Sequence, residues 1–305
     1  MKYLKEFNKM YNEPFGSTDI NGKNNVILSE GLRLSLNIEK SGIGTSGLHV
    51  GIAGSGKTFN FVEPNILQAN CSFILTGEDA HLTLLYEKYK DFLTKQGYDV
   101  IWINLALDSE QYKVQCDLDS FNFSTLREKR TAIFVSVPPH TGGEIKEYLD
   151  KFYEKLFSSI SEYSENSATP SQLPTPLRLM FDDYSVLDPI PNLDEKIRNL
   201  KKYGVSLDIM VQSIGQLEKM HENNYMEIID AFDFIEFYGN TKTDFSYIFD
   251  LIDKEKEKRT TIAYEPKDAS ELIRFMYENE VIIIIKSKLV CDDYKYNTKM
   301  HPNYI

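Results

Sequence analysis

Two kinds of hydrophobic spacing alternate along the chain. Short, unbroken apolar runs rich in β-branched and aromatic residues predict strands: "GLHVGI", "SFILTG", "DVIWINL", "TAIFVSV", "LRLMFDDY", "SLDIMVQS", "DFIEFYG" and "VIIIIKS". Between most of them, apolar residues recur at helical spacing over residues 57–69, 80–96, 143–163, 194–202, 241–252 and 268–277. Strands with no polar face must be covered on both sides, and strand–helix–strand alternation provides that cover. The pattern therefore predicts an α/β fold, a mostly parallel twisted sheet with helices on both faces. Ahead of it, "NNVILSEGLRLSLNIE" alternates with period two around Glu30-Gly31 and predicts a β-hairpin. The expected division is an N-terminal extension with this hairpin, 1–43, and a nucleotide-binding domain, 44–305. The polar, proline-rich stretch "SENSATPSQLPTP", 164–176, predicts a mobile loop, and no repeat of solenoid length is visible.

Composition narrows the setting. The chain has 305 residues, 42% of them hydrophobic, which suffices for a sizeable core. Its net charge of −12 counts against general nucleic-acid affinity while leaving room for a local basic patch. The mixed-sign run "DKEKEKR", 253–259, reads as a solvated helix end. Cys71, Cys116 and Cys291 lie far apart without a CxxC pair, which points to a reducing compartment and no structural zinc. The run "VIIII", 281–285, is too short to cross a bilayer, and "MKYLKEFNKM" has no signal-peptide core. The expectation is a soluble cytoplasmic chain that reaches the cytoplasmic face of a membrane only through a partner.

One stretch carries specific chemistry. "GIAGSGKT", Gly51 to Thr58, fits G-x-x-x-x-G-K-[ST] at every fixed position, with an apolar strand before it and a helical segment after it. Glycines let successive main-chain N–H groups curl around phosphate oxygens, and the helix N-terminus behind them adds partial positive charge. The candidate nucleotide-binding set is Gly51, Ala53, Gly54, Ser55, Gly56, Lys57, Thr58 and Phe59. Lys57 would reach the β- and γ-phosphates of ATP, and the Thr58 hydroxyl would ligate Mg²⁺.

Such a site also needs a carboxylate at a neighbouring strand end. "LRLMFDDY" offers Asp182 to orient Mg²⁺ and Asp183 where a general base would polarise the attacking water. The competing reading is a pair of acids capping the following turn. Gln212, at the end of the next apolar strand, would sense the γ-phosphate or help place water. The order of P-loop, acidic strand and strand with terminal glutamine points to a RecA-like motor core.

Beyond these motifs the sequence resembles the coupling-protein ATPases of type IV secretion and conjugation, the TraG/TraD-like group. "NVILSEGLRLSLN" resembles the hairpin before that family's P-loop, and "GKTFNFVEPNILQAN" its first helix with a Pro-Asn pair. "TAIFVSVPP", "LPTPLRLMFDDYSVLDPIPNLDEKI", "VQSIGQL" and "CDDYKYNTKMHPNY" resemble later family segments in the right order, over roughly residues 14–305. The resemblance implies a homo- or mixed hexamer in assembly, with a lone chain free to be monomeric. It also implies channel components, a membrane-anchoring partner, and a relaxase–DNA or protein substrate.

Departures from the family pattern matter as much. Family members carry N-terminal transmembrane helices, for which this sequence shows no candidate, and a large all-helical domain where only residues 107–130 stand here. The chain is thus expected to be either a trimmed form of a longer protein or a reduced relative. Gly77-Glu78-Asp79-Ala80-His81 replaces the family's Asp-Pro-Lys-Gly-Glu, and Asp182-Asp183 replaces Asp-Glu. Asp183 withdraws the carboxylate by about an ångström, a misplacement worth about 100-fold in rate. Lys201 stands where an arginine finger is expected, with Arg198 as a substitute. The sequence therefore predicts an ATPase that binds ATP with Mg²⁺, hydrolyses it slowly as an isolated chain, and passes substrates to a conjugation channel. The alternative is a hydrolysis-poor ATP-binding docking or assembly component of the same machinery.

Overall fold

The structure, a computed structural model, describes residues 4, 24–105, 123, 125–138, 143–165, 172–187, 189–239, 242–258, 260–274 and 279–305. The chain forms two compact units, one from residues 1–70 and 209–305, the other from residues 71–208. In the first lie β1 (Asn25–Ile27), β2 (Arg33–Ser35) and β3 (Gly47–Gly51), then a π-helical turn, Thr58–Val62, running into α1 (Glu63–Gln68). The second holds β4 (Ser72–Glu78), α2 (Asp79–Lys95), β5 (Asp99–Asn104), β6 (Thr131–Val137), α3 (Glu144–Glu165), β7 (Leu177–Asp182) and α4 (Leu193–Leu200). Strand β8 (Val205–Val211) carries the chain across the boundary, and α5 (Ile214–His221), α6 (Tyr225–Ala231) and β9 (Phe234–Gly239) follow it. The chain ends with α7 (Phe245–Glu257), β10 (Thr261–Ile262), α8 (Ala269–Arg274), β11 (Glu280–Ile285) and β12 (Leu289–Tyr294).

Within the second unit the strands are parallel in the order β7–β4–β6–β5. Unbroken apolar runs make this possible, since β6 is buried along its whole length and β4 at all but its last residue. Strand β5 is half-exposed and covers itself by setting Trp102 against Tyr86 of α2, ring centroids 4.6 Å apart. Helix α3 buries Phe152 and Leu156, and its Tyr153 hydroxyl meets the Thr76 hydroxyl on β4. Arg178 and Asp208 form a buried ion pair at 2.7 Å.

The first unit holds antiparallel as well as parallel pairs, within what a mostly parallel sheet allows. β3 is parallel to β9, but β9–β11 and β11–β12 are antiparallel, and β10 runs parallel to β12. Strand β12 escaped the sequence reading because "LVCDDY" mixes apolar and acidic residues. Its Asp293 carboxylate accepts from the Ser29 hydroxyl at 2.6 Å and the Gly31 N–H at 2.7 Å, at the tip of the β1–β2 hairpin. That hairpin has the predicted antiparallel pairing, Val26 opposite Leu34. Asn65 of α1 fastens it, accepting from the Ile27 N–H and donating to the Ile27 carbonyl, both at 2.9 Å. Helices α5 and α6 were also unpredicted, because Glu222–Asn224 breaks the helical period between their buried residues.

Of the predicted mobile loop, residues 166–171 lie outside the described residues. Its end is anchored, with Leu173 buried and its N–H donating to the Tyr203 carbonyl at 2.8 Å. Most of the 107–130 segment likewise lies outside the described residues. Among the described residues no helix is long and apolar enough to cross a membrane.

Candidate functional site

The loop between β3 and α1 has the geometry its glycines require. Gly54 and Gly56 sit at φ +76° and +96°, where a side chain is strained. A Cβ on Gly56 would also lie 2.1 Å from Asn60 Nδ2, which donates to the Gly56 carbonyl at 2.9 Å. At Gly51 a Cβ would stand 2.6 Å from Ser55 Oγ. Ala53 and Gly54 are exposed at the crest of the loop. The Lys57 ammonium folds back inside, donating to the carbonyls of Gly51 and Ile52. The loop thus combines positive-φ glycines with one ammonium held against its own carbonyls, the make-up of a polyphosphate-binding turn.

The helix behind the loop begins irregularly, for a reason written in the sequence. Thr58 to Val62 form a π-turn, in which the Glu63 N–H donates to the Thr58 carbonyl five residues back. The next residue in that register is Pro64, which has no N–H for the Phe59 carbonyl. The Thr298 hydroxyl donates to it instead. Three further side chains of the C-terminal segment also fasten the P-loop and its helix. Lys295 Nζ donates to the Ser55 carbonyl at 3.2 Å, Asn303 Nδ2 to the Leu67 carbonyl at 2.9 Å, and His301 Nε2 to Gln68 Oε1 at 3.3 Å. Burial, with the nearby Arg33 charge, lowers His301 to about 4. Sequence reading assigned this segment no role.

Beneath the loop, His49 on β3 is opposite Glu236 on β9, and Nδ1 meets Oε2 at 2.7 Å with both side chains wholly buried. The Tyr238 hydroxyl donates to the same carboxylate oxygen at 3.0 Å, and Phe61 packs on the imidazole at 3.9 Å between centroids. These contacts make His49 part of the core.

Gln212 follows β8 in the first unit and is exposed. Its N–H donates to Gln216 Oε1 at 2.8 Å, while Ser213 caps α5 by accepting from the Gln216 N–H at 3.2 Å. The two acids lie in the second unit. Asp182 ends β7 in register with Gly77 of β4, whose Cβ would lie 3.1 Å from the Asp182 carbonyl oxygen. His81, from the segment that departs from the family pattern, places Nε2 3.5 Å from Asp182 Oδ2. Asp183 sits at φ +76° and caps a 3₁₀ turn, its Oδ1 accepting from the Ser185 N–H at 3.1 Å and from the Ser185 hydroxyl. Arg198 on α4 pairs with Asp194 at 2.7 Å on an exposed face, and Lys201 opens the next 3₁₀ turn. Among the described residues, no group of three or more His, Cys, Asp or Glu is placed to hold a metal ion.

The class these elements define is the RecA-like P-loop NTPase fold, mixed α/β with mostly parallel strands. A bacterial conjugative coupling protein, TrwB in its unbound form, has this fold with a TM-score of 0.60 at 11% identity, covering 99% of this chain and 94% of that one. TrwB in complex with ADP and Mg²⁺ matches at 0.56 and 10% identity, covering 92% of each chain. Its complex with a non-hydrolysable ATP analogue matches at 0.54, again at 10% identity and over 92% of each. No curated protein matches in sequence. Residues 105–255 match the family model for type IV secretory system conjugative DNA transfer.

Proposed function

We propose that this chain binds ATP with Mg²⁺ at residues 51–59 and works as a slow ATPase in conjugative DNA transfer. The observation that carries the reading is the turn of positive-φ glycines closing over the Lys57 ammonium at the end of β3. The amides of this turn and Lys57 would hold the phosphates. Thr58 would ligate the metal, Asp182 would orient its water shell, and Gln212 would report on the γ-phosphate. Bound Mg²⁺ supplies neutralisation of developing phosphate charge. The coupling protein TrwB has been seen with ADP and Mg²⁺, which supports the same ligands here.

Slow turnover follows from Asp183. The side chain is one methylene shorter than the glutamate expected there, and its Oδ1 is already engaged by Ser185. That capping role also favours a second reading, a docking or assembly component that binds ATP and hydrolyses little. In either case the assembly would pass a relaxase–DNA or protein substrate to a secretion channel, with a partner providing the membrane anchor.

Titration calorimetry with ATP and Mg²⁺ should show binding by the wild-type chain and none by Lys57→Ala. Steady-state phosphate release, with and without single-stranded DNA, then separates the two readings. Stimulation by DNA supports the motor, and nucleotide-dependent assembly without turnover supports the scaffold. Absence of ATP binding by the folded wild-type chain rejects both.

A further inference from the structure

The candidate nucleotide-binding set stops at Phe59, and the next residue, Asn60, grips the loop from behind. Asn60 lies inside the π-turn and is 7% exposed. Both of its donors converge on one acceptor. Its main-chain N–H donates to the Gly56 carbonyl at 2.7 Å, and Nδ2 donates to the same oxygen at 2.9 Å. The contact fixes which way the side-chain amide faces, because only its nitrogen can donate to a carbonyl. Glycine at position 56 is what admits the amide so close to the backbone.

Satisfying the carbonyl does not call for the second bond. The main-chain N–H already pairs it, and asparagine is a poorer helix former than alanine or leucine. What the side chain adds is direction. The peptide joining Gly56 to Lys57 is planar and trans, so its C=O and its N–H point opposite ways. Two donors on the carbonyl hold that plane and set the Lys57 N–H away from Asn60. The plane needs such a hold. Gly56 at φ +96° stands on one side of it, and on the other the register changes from the four-residue bond of Asn60 to the five-residue bond of Glu63.

We infer that Asn60 is a positioning residue of the nucleotide site: by holding the Gly56 carbonyl, it aims the Lys57 N–H at a phosphate oxygen of the bound nucleotide. The inference rests on the nucleotide-binding proposal above. It deepens that proposal by giving a role to a residue outside the P-loop pattern.

Calorimetric titration of the full chain with Mg²⁺ and either ATP or tripolyphosphate tests it, using Asn60→Ala and Asn60→Ser. Both shorten the side chain, but a serine hydroxyl can donate to the carbonyl four residues back and alanine cannot. Asn60→Ala should weaken ATP and tripolyphosphate alike, by about tenfold, the loss of one well-aimed charge-assisted hydrogen bond. Asn60→Ser should stay within about threefold of wild type. The urea midpoint of Asn60→Ala should not fall below that of Asn60→Ser, since the Gly56 carbonyl keeps its main-chain donor in both. Affinity that falls only in step with the urea midpoint makes Asn60 structural and overturns the inference. So does wild-type affinity in Asn60→Ala, or a loss confined to ATP, and each leaves the nucleotide reading standing. Failure of the wild-type chain to bind ATP overturns both. Should the variants not fold, nuclear magnetic resonance of the wild-type chain decides. Tripolyphosphate with Mg²⁺ should move the Lys57 amide proton downfield, and an unmoved Lys57 amide overturns the inference.

Discussion

At the scale of single residues, chemistry is set by what surrounds each group. His301 is a clear case. It is buried, donates through Nε2 to Gln68 and accepts the Asn303 N–H at Nδ1, an arrangement that requires the neutral ring. Its folded value of about 4 lies below the ordinary 6.5, so the unfolded chain takes up the proton first as pH falls. Its contribution to stability is complete above pH 6.5 and is lost as pH drops from there towards 4. Urea midpoints measured across that window should fall more steeply for wild type than for His301→Gln, in which nothing titrates at this position. The glycines and Lys57 were legible from spacing alone, because each answers to a backbone angle or a contact within the same short turn. Asp183 was legible as an acid at a strand end, and the cap it forms on the following turn stood in the sequence as the competing reading. Lys295 was not legible, since 240 residues separate it from the carbonyl it holds.

At the scale of elements, the start of the P-loop helix shows how a local defect is met from elsewhere. Pro64 leaves the Phe59 carbonyl without a main-chain donor, and the Thr298 hydroxyl takes that place. Removing the hydroxyl in Thr298→Val should cost about 1 kcal/mol, since it leaves a part-buried acceptor unsatisfied. In a Pro64→Ala background a main-chain N–H becomes available, so the same substitution should cost less. A double-mutant cycle from denaturant midpoints reads that coupling directly. The helix over 57–69 was predicted by its apolar spacing, but periodicity does not register a π-turn. For the same reason β12 and the helices over 214–231 were missed. Their sequences are locally polar, and their apolar residues make sense only against neighbours distant in the chain.

At the scale of the whole molecule, the continuous apolar strands and their alternation with helices dictated the α/β class, and the P-loop, Asp182 and Gln212 in that order dictated its RecA-like kind. The antiparallel pairing of β9, β11 and β12 was not dictated in this way. Assembly belongs to this scale too. If the proposed function is exercised by a ring of such chains, sizing the chain at high concentration with Mg²⁺ and a non-hydrolysable ATP analogue should show self-association that is lost in Lys57→Ala. A monomer under both conditions would count against self-assembly of this chain.

Sequence alone was enough for whatever is enforced over a few neighbouring residues: strand and helix periods, glycines at positive φ, an ammonium directly after the second of them, acids at a strand end. Folding in space added what depends on chain segments far apart in number. It set the Asp293 carboxylate at the hairpin tip, gave the Phe59 carbonyl its donor from Thr298, and brought Lys295 to the P-loop. The reason is physical. Local backbone geometry and hydrophobic period are short-range constraints that each stretch of chain carries within itself. Satisfying a buried carbonyl or pairing a buried charge is a demand that any residue of the right chemistry can meet, and only packing selects which one does.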